Sequence, residues 1–499
     1  MANYNNLYLA TKLEKRLGII GREREKRVFE RAIRSKEAEF IALYGRRRVG
    51  KTFLVREYFS KKGTFLEVSG LKGAPLSNQL ENFIKSFSQT FHKGVPLRIP
   101  KSWQEAFELL TEQINIHLKS KKIIIFLDEF PWLATRKSGL IQALDYFWNR
   151  FWSSYSNVIL IVCGSAASWI LEHLINAKGG LHNRLTRRIL LEPFSLKETQ
   201  KFLFSRKIRL NQKQIVDLYM CMGGVPYYLK EIESGKSATQ IIDKLCFQKG
   251  GLLHTEFENL FHSLFDHAEL HFEIVKEIVK MGNKISRKEL IRALKLSSGG
   301  GVKRRLEELE ASGFIQCFVP YGKKDRDRYY RLIDEYSLFY LKWIAPLRTS
   351  GTKMSLDYWK NLVKMPKVSS WAGFAFENVC LKHIHQIQKA LKLEKIACRT
   401  GAWRFVPKKE KMDEGAQIDL LFDREDGVVT LCEIKYSERP FRIEKSYAKK
   451  LLKKLEIFEE HFPIKKQLFF ALITTMGLKK NAWSDEFIQS TILLKDLFK

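Results

Sequence analysis

Acidic residues are the scarce class in this 499-residue chain: 55 Asp plus Glu stand against 87 Lys plus Arg, a formal charge of +32. Such a deficit disfavours basic partners and favours polyanions, because each phosphate neutralised by Lys or Arg releases condensed counterions. It does not separate DNA from RNA or from an anionic membrane. Cysteine is also sparse, with seven residues at 163, 221, 246, 317, 380, 398 and 432. The odd number, the scatter and the lack of any C-x-x-C pair argue against a disulfide framework and a structural zinc site, and fit a reducing cytoplasm. No apolar run approaches the roughly 18 residues of a membrane-spanning helix. Residues 1–15 have neither an apolar core nor a small-residue cleavage site, so no secretory signal and no membrane partner are expected. Internal repeats and low-complexity tracts are missing as well.

What remains is globular in character. Hydrophobic residues make up 45% and aromatics 12%, and the length predicts two to four domains. From about 39 to 191, short apolar strands (40–44, 64–68, 123–127, 158–163, 189–191) alternate with segments long enough to be crossover helices. That alternation predicts a parallel α/β sheet over 1–194. Residues 195–265 read as helical, a lid without a convincing strand. Between 266 and 345 three helices (270–281, 287–294, 299–312) precede two strands (314–320, 328–333), the order of a winged helix-turn-helix. After a polar boundary near 346–353, residues 355–499 read as another α/β domain. It has a helix over 373–391, strands over 417–422, 428–434 and 464–474, and a helix over 446–462.

The strand at 40–44 runs into Gly45-Arg46-Arg47-Arg48-Val49-Gly50-Lys51-Thr52, a full match to G-x-x-x-x-G-K-[ST]. Glycines let backbone N–H groups turn inward around phosphates, and the following helix adds positive potential. Lys51 should reach the β- and γ-phosphates and Thr52 should offer a hydroxyl to Mg²⁺. A chance Gly-rich turn would explain the loop alone, but not the second motif. The apolar strand 123–127 ends in Asp128-Glu129, placing one carboxylate for the Mg²⁺ shell and another to polarise the attacking water. These residues together predict ATP hydrolysis.

Gly45–Thr52, Leu127–Glu129 and Gly223-Gly224-Val225-Pro226 resemble the archaeal-type P-loop ATPases of the AAA+/STAND group. The resemblance implies that Gly21 and Arg22, in Gly21-Arg22-Glu23, help to hold the adenine. It implies that Ser165, ending Cys163-Gly164-Ser165, senses the γ-phosphate. It places the arginine-finger region at His182-Asn183-Arg184, where Asn183 replaces the usual Gly; Arg187 and Arg188 compete with Arg184 for that role. A finger would make a homo-oligomer possible. The Gly-Gly-Val-Pro segment also reads as a plain helix-breaking turn.

Segment 283–331 carries thirteen basic and six acidic residues. Lys303, Arg304 and Arg305 open the presumed recognition helix, and Lys323, Lys324 and Arg326 lie at the hairpin tip. These six are the expected DNA contacts. Glu307, Glu308 and Glu310 on the same helix must face elsewhere, and a winged helix also serves as a packing module.

Further on, Gln417-Ile418-Asp419 and Cys432-Glu433-Ile434-Lys435 flank a turn. The period of two puts Glu433 and Lys435 on one strand face, and the hairpin brings Asp419 towards it. The pattern resembles the PD-(D/E)XK nucleases, and more closely the restriction-endonuclease-like C-terminal domain of the archaeal-type ATPases. Glu377 matches the acid on that domain's first helix; Ile418 departs from the Pro usual before the Asp. The resemblance implies that Glu377, Asp419 and Glu433 bind Mg²⁺ or Mn²⁺ and that Lys435 is catalytic in DNA cleavage. The alternative is a charged hairpin that is merely structural, in a nucleotide-switched DNA-binding regulator or a signalling ATPase. His383 and His385 are read as structural.

Overall fold

A computed structural model describes residues 18–499 apart from 118–120, 136, 176–180, 182, 266, 297–298, 351–356, 406–414 and 463–465. The chain divides into two compact units, one chiefly up to Pro193 and the other chiefly from Phe194 onwards.

The first unit is built on five parallel strands, β1 (Glu39–Tyr44), β2 (Thr64–Ser69), β3 (Ile123–Asp128), β4 (Val158–Gly164) and β5 (Arg187–Leu190), in the order β2-β3-β4-β1-β5. Every residue of β3 and β4 is buried, which explains their unbroken apolar sequences: a parallel strand covered on both faces has no solvent side to mark with polar residues. Helices α1 (Glu23–Arg34), α2 (Lys51–Phe59), α3 (Leu76–Phe91), α4 (Trp103–Ile116) and α5 (Leu140–Arg150) complete the layers. Alternate strand residues feed two cores. Phe40, Ile125 and Leu160 pack with Phe83, Phe107 and Trp152, whereas Ile41, Ile124 and Ile161 pack with Phe29 and Phe59. The order brings the C-terminal ends of β3, β4 and β1 side by side, the edge where open α/β sheets place their ligands.

The second unit begins with helices that include α6 (Leu196–Ser205) and α7 (Gln212–Met222). Ser195 opens α6 with a capping box closed by Glu198, which satisfies orphan N–H groups at the first turn. Then follow α8 (Glu269–Lys280), β6 (Ile285–Ser286), α9 (Arg287–Ala293), α10 (Gly299–Ala311), β7 (Ile315–Phe318) and β8 (Tyr329–Leu332). The three strands form an antiparallel sheet, β6-β8-β7. The two-residue β6 is too short to show as a pattern in sequence.

Beyond α11 (Pro366–Lys382) lies a mixed sheet of β9 (Cys398–Phe405), β10 (Ala416–Arg424), β11 (Val428–Lys435), β13 (Gln467–Thr474) and β15 (Ile488–Leu493), ordered β15-β13-β11-β10-β9. A small parallel pair, β12 (Phe441–Arg442) and β14 (Leu478–Lys479), sits beside it. Helix α12 (Lys445–His461) packs Ala448, Leu451 and Phe458 against Trp403, Ile418 and Leu431 of the sheet. Sequence periodicity continues one helix across 373–391. In the structure α11 ends at Lys382 and a second helix starts at Ile384.

Tyr321, just past β7, joins the hairpin to this sheet. Its N–H donates to the Ala402 carbonyl at 2.8 Å, its hydroxyl donates to Asp423, and its ring lies 4.9 Å from that of Phe462. Burial, then the Asp423 hydrogen bond, push the Tyr321 phenol up to about 12.

Candidate functional site

The loop between β1 and α2 is shaped by three residues with positive φ: Gly45 (143°), Arg48 (71°) and Gly50 (92°). A side chain at Gly45 would put its Cβ 2.4 Å from the Leu191 carbonyl oxygen, so only glycine lets the loop lie this close to the end of β5. Lys51 is buried. Its ammonium donates to the Gly45 and Arg46 carbonyls at 2.9 Å each, the return path of a lysine folded over its own loop.

Arg22 clasps the loop from behind. Its guanidinium donates to the carbonyls of Glu192 (2.7 Å) and Val49 (3.0 Å). The Arg22 side chain, in the segment expected to help hold the adenine, is buried on main-chain oxygens behind the phosphate loop. Gly21 (φ 66°) precedes it at the mouth of α1 and supplies the turn.

Asp128 and Glu129 divide the work at the end of β3. Thr52 Oγ1 donates to Asp128 Oδ2 at 2.8 Å, so a hydroxyl and a carboxylate oxygen stand together. Both are hard oxygen donors of the kind Mg²⁺ accepts. Burial raises the Asp128 carboxyl above its ordinary range, and the Glu129 charge adds to this while the Thr52 bond opposes it. A cation beside Asp128 would restore the ionised form. Glu129 adopts φ 46° as the chain turns sharply, which throws its carboxylate sideways to β4. There Glu129 Oε2 accepts from the Ser165 hydroxyl (2.9 Å) and the Ser165 N–H (3.1 Å). The family resemblance turns Ser165 towards the γ-phosphate. Here its hydroxyl and N–H donate to Glu129.

The arginines of the finger region separate cleanly. Arg187 pairs with buried Glu39 at 2.6 Å, at the start of β1 and so at the sheet edge opposite the phosphate loop. Arg184 is exposed and lies two residues before Thr186, whose N–H donates to the Phe40 carbonyl near that same edge. Arg188 is exposed on β5, close enough to Tyr44 to lower its phenol against the effect of burial. His182 of this motif lies outside the described residues.

In the second unit, Lys303 and Arg304 are exposed on α10 and Arg305 is half-buried, while Val302 and Leu306 are buried. Lys323, Lys324 and Arg326 are exposed at the hairpin.

The C-terminal carboxylates are arranged differently from the shared metal site expected of them. Among the described residues, no group of three or more His, Cys, Asp or Glu side chains could hold a metal ion. Lysines have taken two of the three expected carboxylates, Glu377 and Glu433. Glu377 receives Lys284 at 3.2 Å. Burial and then the Asp419 charge raise its carboxyl, with Lys284 and Arg331 pulling the other way. Glu433 is buried and saturated: Oε1 meets Tyr447 Oη (2.6 Å) and Lys435 Nζ (2.9 Å), and Oε2 meets Lys454 Nζ (2.8 Å). Burial alone would raise Glu433, yet Lys454 and Lys435 hold it below the ordinary range. Asp419 accepts from Gln417 at 2.6 Å. Lys435 is thus a neutralising partner, and these residues do not fit a divalent cation as they stand.

Sequence reasoning missed the role of Tyr447 and Lys454, whose only signal was helical phase. His383 is structural, as read: Nδ1 donates to the Val379 carbonyl (2.7 Å) and Nε2 accepts from the Leu196 N–H (3.1 Å).

Residues 19–232 match the model of a family described as an ATPase domain predominantly from Archaea. An uncharacterized protein of Methanocaldococcus jannaschii is 23% identical over 456 residues, covering 89% of this chain and 94% of its own. Among solved structures, a Walker-type ATPase of Pyrococcus abyssi matches with 18% identity and a TM-score of 0.46, over 65% of this chain and 96% of its own. The ORC2 protein of Aeropyrum pernix matches with 13% identity and a TM-score of 0.40, over 66% and 93%. No helix among the described residues is long and apolar enough to cross a membrane.

Proposed function

We propose that this chain is a Mg²⁺-dependent ATP hydrolase whose nucleotide state governs DNA binding by its C-terminal half. The observation that carries it is the convergence of Lys51, Thr52, Asp128, Glu129 and Ser165 at one sheet edge. Inward-facing loop amides and Lys51 bind the phosphates, with Lys51 exchanging its bonds to Gly45 and Arg46 for phosphate oxygens. Thr52 and Asp128 would hold Mg²⁺, which supplies charge neutralisation between the phosphates. Glu129 accepts the proton of the attacking water and Ser165 keeps its carboxylate aimed. Arg184, exposed at the far edge, suits a finger offered to a neighbouring copy in a homo-oligomer.

The DNA part rests on the charge of +32 and on the winged-helix order of 266–345, with Lys303, Arg304, Lys323, Lys324 and Arg326 exposed. With Glu377 and Glu433 held by lysines, the C-terminal domain is read as a nuclease-like fold that binds without cutting.

Three measurements test this. Lys51→Ala should abolish ATP turnover, and Glu129→Gln should bind ATP without turning it over. Fluorescence anisotropy of a labelled duplex should then differ between ATP-loaded Glu129→Gln and the ADP-loaded wild type. Identical DNA affinity in both states would defeat the switch. Plasmid incubated with Mg²⁺ or Mn²⁺, with and without ATP, should stay intact; nicking lost in Lys435→Ala would restore the nuclease reading.

A further inference from the structure

The C-terminal domain carries a row of cations that form no ion pair among the described residues. Arg439, Arg442, Lys445, Lys449 and Lys450 are all exposed, and none has an ion-pair or hydrogen-bond partner among the described residues. Lys445, Lys449 and Lys453 follow one another at four-residue spacing, so they form a stripe along α12 with about 6 Å of rise between successive cations. This stripe lies opposite the side that buries Ala448, Leu451 and Phe458. Lys453 has Glu456 at 3.3 Å, and the domain's remaining exposed acids on α12, Glu459 and Glu460, come later still.

This distribution does not serve the helix itself. Glu444 caps α12, but the turn after it has no acidic residue and the lysines crowd the first half of the helix, whereas the helix dipole favours bases at the end. Like charges four residues apart also repel. An arrangement that weakens the free helix and lacks internal partners calls for an anion from outside.

The inner side of the same helix is held firmly. Tyr447 and Lys454 both end on the buried Glu433 of β11, so the carboxylate expected to bind a metal instead fixes the rotation of α12. The stripe is presented at a set angle to the sheet. By contrast, Lys303 and Arg304 on α10 have interaction partners within the protein.

We infer that the outer face of α12, continued by Arg439 and Arg442, is a phosphate-backbone contact for duplex DNA, with Glu433 as the positioning residue behind it. This rests on the DNA-binding reading above and assigns the surface that performs it.

The test uses the full chain, a labelled 25-base-pair duplex and anisotropy titrations over a range of salt concentrations. Lys445→Gln/Lys449→Gln/Lys450→Gln should weaken binding about tenfold or more at physiological salt, uniformly across sequences. It should lower the log–log salt slope by about 2.7, at roughly 0.9 for each phosphate no longer neutralised. ATP turnover without DNA should be unchanged, and the Tm should hold or rise because repulsion at the helix start is relieved. An unchanged slope and affinity, with loss instead in Lys303→Gln/Arg304→Gln, would overturn the α12 surface and leave DNA binding standing. Absence of binding by the wild type would defeat the DNA reading itself. A lowered Tm in the triple variant would make these lysines structural and overturn the inference too.

Discussion

Ser165→Ala tests whether the Ser165 hydroxyl aims Glu129. The substitution deletes the 2.9 Å bond to Glu129 Oε2 and leaves the 3.1 Å bond from the backbone N–H. Ser165 is buried, with 3% of its surface exposed, so water has little room to replace the lost donor. A hydrogen bond to a charged group contributes about 1.5–3 kcal/mol. The surviving N–H bond keeps the loss near the lower end, which corresponds to about a tenfold fall in kcat. The phosphate loop and Lys51 are untouched, so KM for ATP should stay within about twofold, the split expected when only the transition state is affected. Ser165→Thr keeps the hydroxyl and should recover most of the rate. Steady-state turnover with a coupled assay gives both constants. A kcat within twofold of wild type, or a KM that rises as kcat falls, would refute the positioning argument and return Ser165 to phosphate sensing.

Three other outcomes follow from the same geometry. Gly45→Ala forces a Cβ to within 2.4 Å of the Leu191 carbonyl; overpacking of about 1–3 kcal/mol should appear as about a tenfold weaker nucleotide Kd by calorimetry, and unaltered affinity would contradict it. Arg187→Leu removes the ion pair of buried Glu39 and leaves it the Thr186 hydroxyl and the charge of Lys122; it should cost about 2 kcal/mol, less than a fully buried pair because Arg187 is partly exposed, seen as a lower Tm with ATP affinity preserved. His383 has its folded pKa lowered by burial from 6.5, so the folded state binds fewer protons than the unfolded chain. Its contribution is complete above pH 6.5 and is lost as pH falls through the depressed folded value. Thermal melts from pH 7.5 to 5 should slope less in His383→Gln, and parallel slopes would count against the Leu196 N–H bond.

How legible these features were in the sequence depended on burial. The strands β1, β3 and β4 are sealed on both faces, and their apolar runs show where they start and end to within a residue or two. The chemistry at their ends followed from motif spacing, since the sheet order that joins Gly45, Asp128 and Ser165 is a common property of parallel α/β folds. Within the five-stranded C-terminal sheet, the two strands absent from the sequence reading, β9 and β15, are the outermost. CRTGAWRF and IQSTIL alternate weakly because an edge strand has less to bury. Charge pairing was least visible. A two-residue period places Glu433 beside Lys435, but nothing local reports that Lys454 and Tyr447 arrive from α12 to fill the same carboxylate, or that Lys284 reaches Glu377.

The Tyr321 contact bears on how this protein could fail. Among the described strands β9 ends its sheet, and an unpaired border invites a strand from another molecule. By donating its N–H to Ala402 and closing its ring over Phe462, Tyr321 acts as a stopper on part of that border. A hairpin drawn away from the sheet would therefore leave behind a sticky seam, and shortening the loop around Tyr321 should show itself first as self-association.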